Sequence, residues 1–311
     1  MIYLGFVTSN FTTSCAGCGD LSQNISKLLN VKTGERGLRQ SDALFQHIKA
    51  LPFLYEELCS KCNIKDVMAV GVSTRPRSVE GSYMPVFLAG EGYARVCAAT
   101  LKVPLYEFSH QDGHIMSAIH SCDNYSLLEK PFISVHLSGG TSEILLTQYN
   151  KKGFDCKIIG GTKDISAGQL IDRVGVKMGM NFPCGKQLEK LAFSYKNPIK
   201  LPVNSCDGYI NFSGIETKAL TLCNTQNHQD LAYSLFDAIA SALIKALSWC
   251  RNKTQIDDIL IAGGVASNSI IKKRLLSELG NNVYFASPEL ACDNAYGIAL
   301  LTKFISCGDK I

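Results

Sequence analysis

The sequence has no long apolar run, no low-complexity segment and no block of like charge. No apolar stretch reaches the roughly 18 residues that a membrane-spanning helix needs, and the apolar residues 2–7 are too few for a signal-peptide core. We therefore expect a cytoplasmic protein that makes no membrane contact. With 311 residues, 46% of them hydrophobic and 19% charged, the chain is not disordered and can form about two lobes with separate cores.

The chain also lacks a strong charge imbalance. Its net charge of +4 and pI near 8.3 are compatible with a nucleic-acid partner, but they fall short of the basic surface that would by itself indicate one.

Thirteen cysteines would suit a disulfide framework in a small exported chain, but this chain is long, the number is odd and no export signal is evident. We expect reduced thiols. Two C-x-x-C pairs, Cys15 with Cys18 and Cys59 with Cys62, could alternatively supply four thiolates to zinc. Such pairs arise easily among thirteen cysteines, and a shared site would have to join two separate elements, so we favour the thiols.

Short β-branched runs alternate with helical patterns, which predicts an α/β fold. The predicted strands are 2–7, 67–72, 132–137 and 256–261, and the clearest helical pattern covers 230–250. A further helix is predicted over 41–62, interrupted and bent at Pro52.

Three of these strands run into turns rich in glycine or small polar residues, where backbone amides can bind an anion. The turns are Thr8-Ser9-Asn10, Ser138-Gly139-Gly140-Thr141, and the segment 263–268. Their spacing predicts two related lobes that begin with strand-turn-strand units near 2–18 and 132–148, with nucleotide in a cleft between them. We place the N-terminal lobe at 1–128, with 290–311 returning to it, and the C-terminal lobe at 129–289.

The segment His110-Gln111-Asp112-Gly113-His114 places two imidazoles one helical turn apart, so that both can bind one metal ion. A pair of capped or solvated histidines is the alternative. A metal site would need a third ligand, and Asp293 is a candidate that would otherwise serve as a helix N-cap. The segment lacks the glutamate of H-E-x-x-H peptidases, and Asp112 would project away from the metal face, so we do not expect a metallopeptidase.

Taken together, these motifs resemble the tRNA threonylcarbamoyladenosine synthase family, TsaD-like proteins once labelled O-sialoglycoprotein endopeptidases. The resemblance runs nearly end to end and rests on motifs in the family's order: Leu4-Gly5, Thr8-Ser9, the His-x-x-x-His segment, Ser138-Gly139-Gly140, Ile171-Asp172-Arg173, Pro183 with Gly185, Phe212-Ser213-Gly214, Ala262-Gly263-Gly264-Val265, Asn268 and Asp293-Asn294.

The resemblance implies the two-lobed actin- and Hsp70-like nucleotide-binding (ASKHA) fold, and transfer of a threonylcarbamoyl group from its adenylate to N6 of the tRNA adenosine next to the anticodon. It implies one divalent metal, Fe²⁺ or alternatively Zn²⁺, held by His110, His114 and Asp293. An adenine nucleotide or threonylcarbamoyl-adenylate is the expected ligand, and tRNA and accessory proteins are the expected partners. The first phosphate loop would include Thr8 and Ser9, and the other substrate-binding positions would be Leu137, Ser138, Gly139, Gly140, Asp172, Gly185 and Asn268.

The sequence departs from the family most clearly in its first loop, where Val7, Phe11 and Thr12 replace three carboxylates. The family's Gly-Pro-Gly turn reads Arg75-Pro76-Arg77. These changes indicate a diverged paralogue. They leave open three functions: a working transferase, a non-catalytic or regulatory nucleotide-binding paralogue, and a related carbamoyl or phosphoryl transferase.

Overall fold

A computed structural model describes residues 1–30, 38–287, 290 and 294–308. The chain divides into two compact units. Unit 1 comprises Met1–Asp123, Tyr149–Asp155 and Glu289–Ile311, and unit 2 comprises Asn124–Gln148 and Cys156–Pro288.

Strands and helices alternate along the described chain, as predicted from the hydrophobic pattern. In chain order they are β1 (Ile2–Thr8), β2 (Thr12–Gly19), β3 (Gln23–Leu28), α1 (Gln40–Cys59), β4 (Val67–Arg75), α2 (Phe87–Leu101), β5 (Leu105–Ser109), α3 (His110–Ser121), β6 (Phe132–Leu137), β7 (Ser142–Tyr149), β8 (Phe154–Thr162), α4 (Ala167–Lys177), α5 (Gly185–Ala192), β9 (Asn204–Cys206), β10 (Tyr209–Asn211), α6 (Ser213–Leu222), α7 (His228–Thr254), β11 (Ile259–Ala262), α8 (Ser269–Leu279), β12 (Val283–Phe285) and α9 (Tyr296–Ser306).

Each unit is built on one sheet, and the two sheets share a topology. The first has the order β3-β2-β1-β4-β5, in which β1 and β2 are antiparallel and β4 and β5 run parallel to β1. The second has the order β12-β11-β6-β7-β8-β10-β9, with β6 antiparallel to β7 and parallel to β11. The repeated hairpin followed by parallel strands agrees with the two strand-turn-strand units predicted from the sequence.

The central strands β1, β4 and β6 are largely apolar and buried. Every residue of β1 is buried, and its side chains join α1 and α2 in a core that includes Leu4, Leu51 and Val70. The core of unit 2 surrounds α7, whose buried positions include Leu235 and Leu243. By length and composition α7 could cross a membrane, but 67% of its apolar window is buried, as expected for a central core helix.

Helix α1 is continuous through Pro52, so the predicted interruption is wrong. Proline has no N–H for the carbonyl of Ile48, one turn earlier, and normally leaves that carbonyl without a helical hydrogen bond. Here the hydroxyl of Tyr93 on α2 donates to the Ile48 oxygen at 3.2 Å. The neighbouring helix therefore replaces the bond that proline removes.

The predicted strand at 256–261 begins three residues late, at Ile259, because α7 continues to Thr254. Gln255 ends the helix in a left-handed conformation with φ of 56°. The Arg251 side chain then donates to the carbonyl of Asp257 from both Nε and Nη2, at 3.0 and 2.7 Å. Both contacts are made to Asp257, which was predicted to be the second residue of the strand.

Candidate functional site

The two motif histidines lie at the start of α3, immediately after β5. Ser109 caps the helix: its hydroxyl accepts from the Asp112 amide, and the Asp112 carboxylate accepts from the Ser109 amide. The cap fixes the first turn, so that residues four apart lie on one face. The Nε2 atoms of His110 and His114 are 3.0 Å apart, with their rings nearly perpendicular at 75°.

This separation fits two ligands of one metal ion. Two nitrogens bound about 2.1 Å from a metal, at right angles to each other, are about 3.0 Å apart. The same distance allows one ring to donate a hydrogen bond to the other, so the pair suits a metal without requiring one. The predicted third ligand, Asp293, lies outside the described residues. Within the described residues there is no group of three or more His, Cys, Asp or Glu side chains that could hold a metal.

Asp112 is a buried anchor for the histidine helix. Oδ2 accepts from the Ser109 amide at 2.7 Å and from the Ser78 hydroxyl at 3.0 Å, and Oδ1 accepts from the Phe154 amide at 2.9 Å. The carboxyl thus ties together the loop after β4, the helix cap and the start of β8. Sequence reasoning placed Asp112 away from the metal face and did not assign it this role, since two of its partners, Ser78 and Phe154, lie 34 and 42 residues away.

The arginine-containing turn after β4 also contacts this helix. The carbonyl of Pro76 accepts from the Gln111 amide at 3.1 Å, and the Arg77 amide donates to the Ser82 hydroxyl at 3.0 Å. In the parallel pairing of β4 and β5, Arg75 lies opposite Ser109. The turn that distinguishes this chain from the family pattern therefore lies beside the first turn of the histidine helix.

The first loop joins β1 to β2 and is held by uncharged groups. The Thr8 hydroxyl donates to the carbonyl of Val86 at 2.8 Å and accepts from the amide of Gly90 at 3.1 Å, both at the start of α2. The Ser9 hydroxyl accepts from the amides of Phe11 and Thr12 at 3.2 and 3.1 Å, which closes the turn.

The three positions that lack the family's carboxylates differ in environment. Val7 and Thr12 are buried, whereas Phe11 is 66% exposed. Of the three substitutions, therefore, only the one at position 11 presents its side chain to solvent.

In unit 2, four of the predicted binding residues lie at the end of β6 and in the turn that joins it to β7. Leu137 is buried at the end of β6. The Ser138 hydroxyl accepts from the Thr141 amide at 3.0 Å, which folds the turn back on itself. An added β-carbon on Gly139 or Gly140 would meet no atom within 4 Å, so the outer side of this turn is open.

The start of α4 supports this turn. The Ser166 hydroxyl donates to the Gly139 carbonyl at 2.6 Å, and the Ala167 amide donates to the Ser142 hydroxyl at 2.9 Å. A β-carbon on Gly168 would lie 2.4 Å from Gly139 Cα, so glycine is required for this close approach.

Asp172 and Gly185 are connected through Cys184, the residue directly before α5. The Asp172 carboxylate accepts from the Cys184 amide at 2.8 Å, and Gly185 follows as the first residue of α5. Burial raises the pKa of Asp172, although the bond from Cys184 acts in the opposite direction. Gly185 has open space on its Cβ side. The structure thus brings these two predicted residues together.

Asn268 caps α8, a role that the sequence analysis did not assign to it. Its Oδ1 accepts from the amides of Ile270 and Ile271 at 3.1 and 3.0 Å. The preceding Gly263 has φ of 106°, and a β-carbon there would lie 2.2 Å from the carbonyl oxygen of Leu137. Glycine therefore allows the turn before Asn268 to lie against the end of β6.

The C-x-x-C pairs do not form a zinc site within the described residues. Cys15 is buried in β2, and burial is the main cause that raises its pKa to about 12. Burial also raises the pKa values of Cys59 and Cys62 at the end of α1. The twelve cysteines described are all free.

The fold has many relatives of known structure. HypF from T. kodakarensis has a TM-score of 0.63 at 15% identity, over 98% of this chain and 48% of that protein. The component A of (R)-2-hydroxyglutaryl-CoA dehydratase from Acidaminococcus fermentans has a TM-score of 0.58 at 15% identity, covering 98% and 99%. A ROK family glucokinase from Streptomyces griseus, solved with glucose and AMPPNP, gives 0.54 at 12%, covering 97% and 99%. The chain therefore has the actin- and Hsp70-like fold that the motifs predicted.

Sequence relatives define the family within this fold. The TsaD family model, tRNA N6-adenosine threonylcarbamoyltransferase, matches residues 21–300. A protein of that description from Clostridium perfringens is 32% identical over 91% of this chain and 85% of its own length, and one from Thermosipho africanus is 28% identical over 96% and 93%. This chain belongs to the TsaD family of transferases, which confirms the resemblance recognised in the motifs.

Proposed function

We propose that this protein transfers a threonylcarbamoyl group from threonylcarbamoyl-adenylate to N6 of the adenosine next to the anticodon of tRNA, with a divalent metal held by His110, His114 and Asp293. The observation that carries the proposal is the 3.0 Å separation of the two histidine Nε2 atoms, in a chain of the threonylcarbamoyltransferase family.

The imidazoles of His110 and His114 and the carboxylate of Asp293 suit Fe²⁺, with Zn²⁺ as the alternative, and leave coordination positions open. When bound, such an ion supplies positive charge that can hold and polarise a phosphate or carbonyl oxygen. The capping box at Ser109 and the buried Asp112 carboxylate keep the two imidazoles in position before any ligand arrives. This preorganisation is the contribution that the chain makes to the metal site.

The open turn of unit 2 suits the phosphate of the adenylate. The amides of Gly139 and Gly140 can donate to phosphate oxygens, and the Cβ side of both glycines is open. The Asp172 carboxylate can accept from ribose hydroxyls. Because the Asn268 oxygen is engaged in capping α8, the Nδ2 amide is the part of that side chain that would meet a ligand.

The transfer forms a bond between the adenosine N6 and the carbamoyl carbon, breaks the bond from that carbon to the phosphate oxygen, and releases AMP and a proton. The binding groups act by orienting the two reactants and by stabilising charge on the departing phosphate. A net charge of +4 is compatible with the tRNA substrate. Accessory proteins would supply the adenylate or help to bind the tRNA.

The uncharged first loop favours one alternative, a regulatory paralogue that binds nucleotide without transferring the group. Val7, Phe11 and Thr12 supply none of the carboxylates found at those positions in the family pattern. The two functions differ in a measurable product, the modified nucleoside in tRNA.

The test is complementation in cells depleted of their own transferase, which also contain any accessory proteins. The wild-type chain and a His110→Ala, His114→Ala double variant are expressed, and tRNA nucleosides are quantified by mass spectrometry. His120→Ala is the matched control, since it removes a histidine from the same helix without changing the pair. The metal content of each purified protein is measured in parallel.

We expect the wild type and His120→Ala to restore threonylcarbamoyladenosine and to contain metal, and the double variant to do neither. Folded wild-type protein that leaves the tRNA unmodified would contradict the transferase proposal and favour the regulatory paralogue. Restoration by a metal-free double variant would contradict the metal assignment alone.

A further inference from the structure

We propose that His47, on α1, is a positioning residue that holds the first loop in its ligand-binding conformation. The inference rests on the proposed function, because it takes the Thr8-Ser9 loop as a binding element for the adenylate. No motif singled out His47, which lies in the middle of a helix 38 positions from Ser9.

The contacts of the imidazole are specific. The His47 side chain is completely buried. Its Nε2 lies 2.8 Å from the carbonyl oxygen of Ser9, and its Nδ1 lies 2.8 Å from the hydroxyl of Thr13. The ring therefore contacts the chain on both sides of the turn. Ser9 is the first residue of the turn, and Thr13 is the second residue of β2.

These contacts define the state of the ring. A carbonyl oxygen can only accept, so Nε2 must carry the proton that it donates to Ser9. In a neutral ring Nδ1 is then the acceptor, and the Thr13 hydroxyl donates to it. Burial lowers the pKa of His47, although the Ser9 bond opposes this, which favours the neutral ring.

The loop that His47 holds is also bound through the residue before Ser9. Thr8, next to Ser9, hydrogen-bonds Val86 and Gly90 at the start of α2. Between them lies Phe87, whose ring is 5.8 Å from that of His110. A continuous set of contacts within unit 1 thus extends from His47, through the first loop and α2, to the histidine pair.

Through these hydrogen bonds His47 does more than fill space in the core, because it also sets the conformation of the first loop. The first loop has no carboxylate of its own to define its shape through charge, and a buried imidazole fixes the orientation of the Ser9 carbonyl instead. Fixing that peptide also fixes the turn that follows, in which the Ser9 hydroxyl accepts from the amides of Phe11 and Thr12. Loss of the Ser9 bond should therefore weaken binding of ligand phosphate more than it weakens the fold.

The two ring nitrogens can be tested separately. The amide of glutamine can place a donor near the Nε2 position, whereas the shorter asparagine reaches only the Nδ1 position. His47→Gln thus retains the Ser9 contact and His47→Asn loses it. His228→Asn serves as a control, because His228 also donates to a backbone carbonyl, that of Cys223 at 2.9 Å, but in unit 2.

The dissociation constant of AMP is measured by calorimetry for each full-length protein, together with its melting temperature. We expect His47→Asn to raise this constant about tenfold, as expected for the loss of about one hydrogen bond. His47→Gln should stay within about threefold of the wild type, and His228→Asn should not change it.

Equal AMP binding by His47→Asn and the wild type would overturn the inference, as would weakening that follows the melting temperature equally in both His47 variants. Wild-type protein that binds no AMP would also overturn it. If AMP binding depends on His47 but the complemented cells contain no modified tRNA, the transferase proposal fails and the role of His47 stands.

Discussion

The close approach of α4 to the Ser-Gly-Gly turn predicts a sharp difference between two glycine substitutions in unit 2. In Gly168→Ala the new β-carbon would lie 2.4 Å from Gly139 Cα and 2.7 Å from the Ser138 carbonyl oxygen. Both are backbone atoms that no rotamer change can move. Either the helix or the turn must therefore shift.

The expected change in the free energy of unfolding of Gly168→Ala is the sum of two opposing effects. Overpacking of this kind destabilises the folded state by about 1–3 kcal/mol. Replacing glycine by alanine in a helix stabilises it by up to about 1 kcal/mol. We expect a net loss of about 1–2 kcal/mol in the free energy of unfolding. Gly140→Ala is the matched substitution, since its β-carbon meets no atom within 4 Å and should change stability by less than about 0.5 kcal/mol.

Urea unfolding can be followed through Trp249, the only tryptophan in the chain, which packs against the core of unit 2. We expect Gly168→Ala to unfold at lower urea and Gly140→Ala to unfold like the wild type. Gly140→Ala should nevertheless weaken AMP binding, because the added methyl lies on the open side of the turn. Unchanged stability in Gly168→Ala would refute the packing argument, and unchanged AMP affinity in Gly140→Ala would refute the phosphate role of this turn.

Three further predictions concern hydrogen-bonding residues. Asn268→Ala should lower the stability of unit 2 by about 1 kcal/mol, measured by urea unfolding, whereas Asn268→Asp should retain the cap of α8. Asp112→Asn should cost about 2–3 kcal/mol by thermal unfolding and loosen the histidine pair, seen as reduced metal content, because an amide group cannot accept all three bonds. Burial alone would raise the pKa of Asp164, but its hydrogen bonds from Ser213, Phe212 and Thr162 lower it to about 2, below the ordinary 3.8. Its contribution is thus fully present above about pH 4 and lost as the pH falls through 2; since the group is largely exposed we expect about 1 kcal/mol, absent in Asp164→Asn, from urea midpoints at successive pH values.

The sequence predicted the elements whose signals are local. The strand at 132–137 was placed correctly from its β-branched pattern, and the strand-turn-strand units followed from small residues between apolar runs. The continuity of α1 through Pro52 was not predictable, because the hydroxyl that satisfies the Ile48 carbonyl comes from Tyr93, 45 residues away. Proline signals a helix break locally, and only tertiary structure shows whether another group replaces the missing bond.

The candidate site shows the same difference between features with local sequence signals and features that depend on distant residues. A spacing of four residues sufficed to predict that His110 and His114 lie on one face. The role of His47 depends on partners more than 30 residues distant, and His47 has no local pattern that separates it from an ordinary helix residue. Asp112 has a local signal for its capping box with Ser109, but its bonds from Ser78 and Phe154 come from distant residues. Asn268 carried a signal that was overlooked, since asparagine directly before a helical pattern is typical of an N-cap.

The conformation of the first loop does not depend on the carboxylates that the family resemblance implies at positions 7, 11 and 12. Thr8, Ser9 and His47 hold the loop through neutral hydrogen bonds, and none of these depends on a charge at positions 7, 11 or 12. Val7 is completely buried, so a carboxylate restored there would be desolvated, whereas one at the exposed position 11 would not. The surroundings of position 7 thus require an uncharged side chain, whereas those of position 11 do not. It follows that any carboxylate chemistry lost from this chain is more readily regained at Phe11 than at Val7.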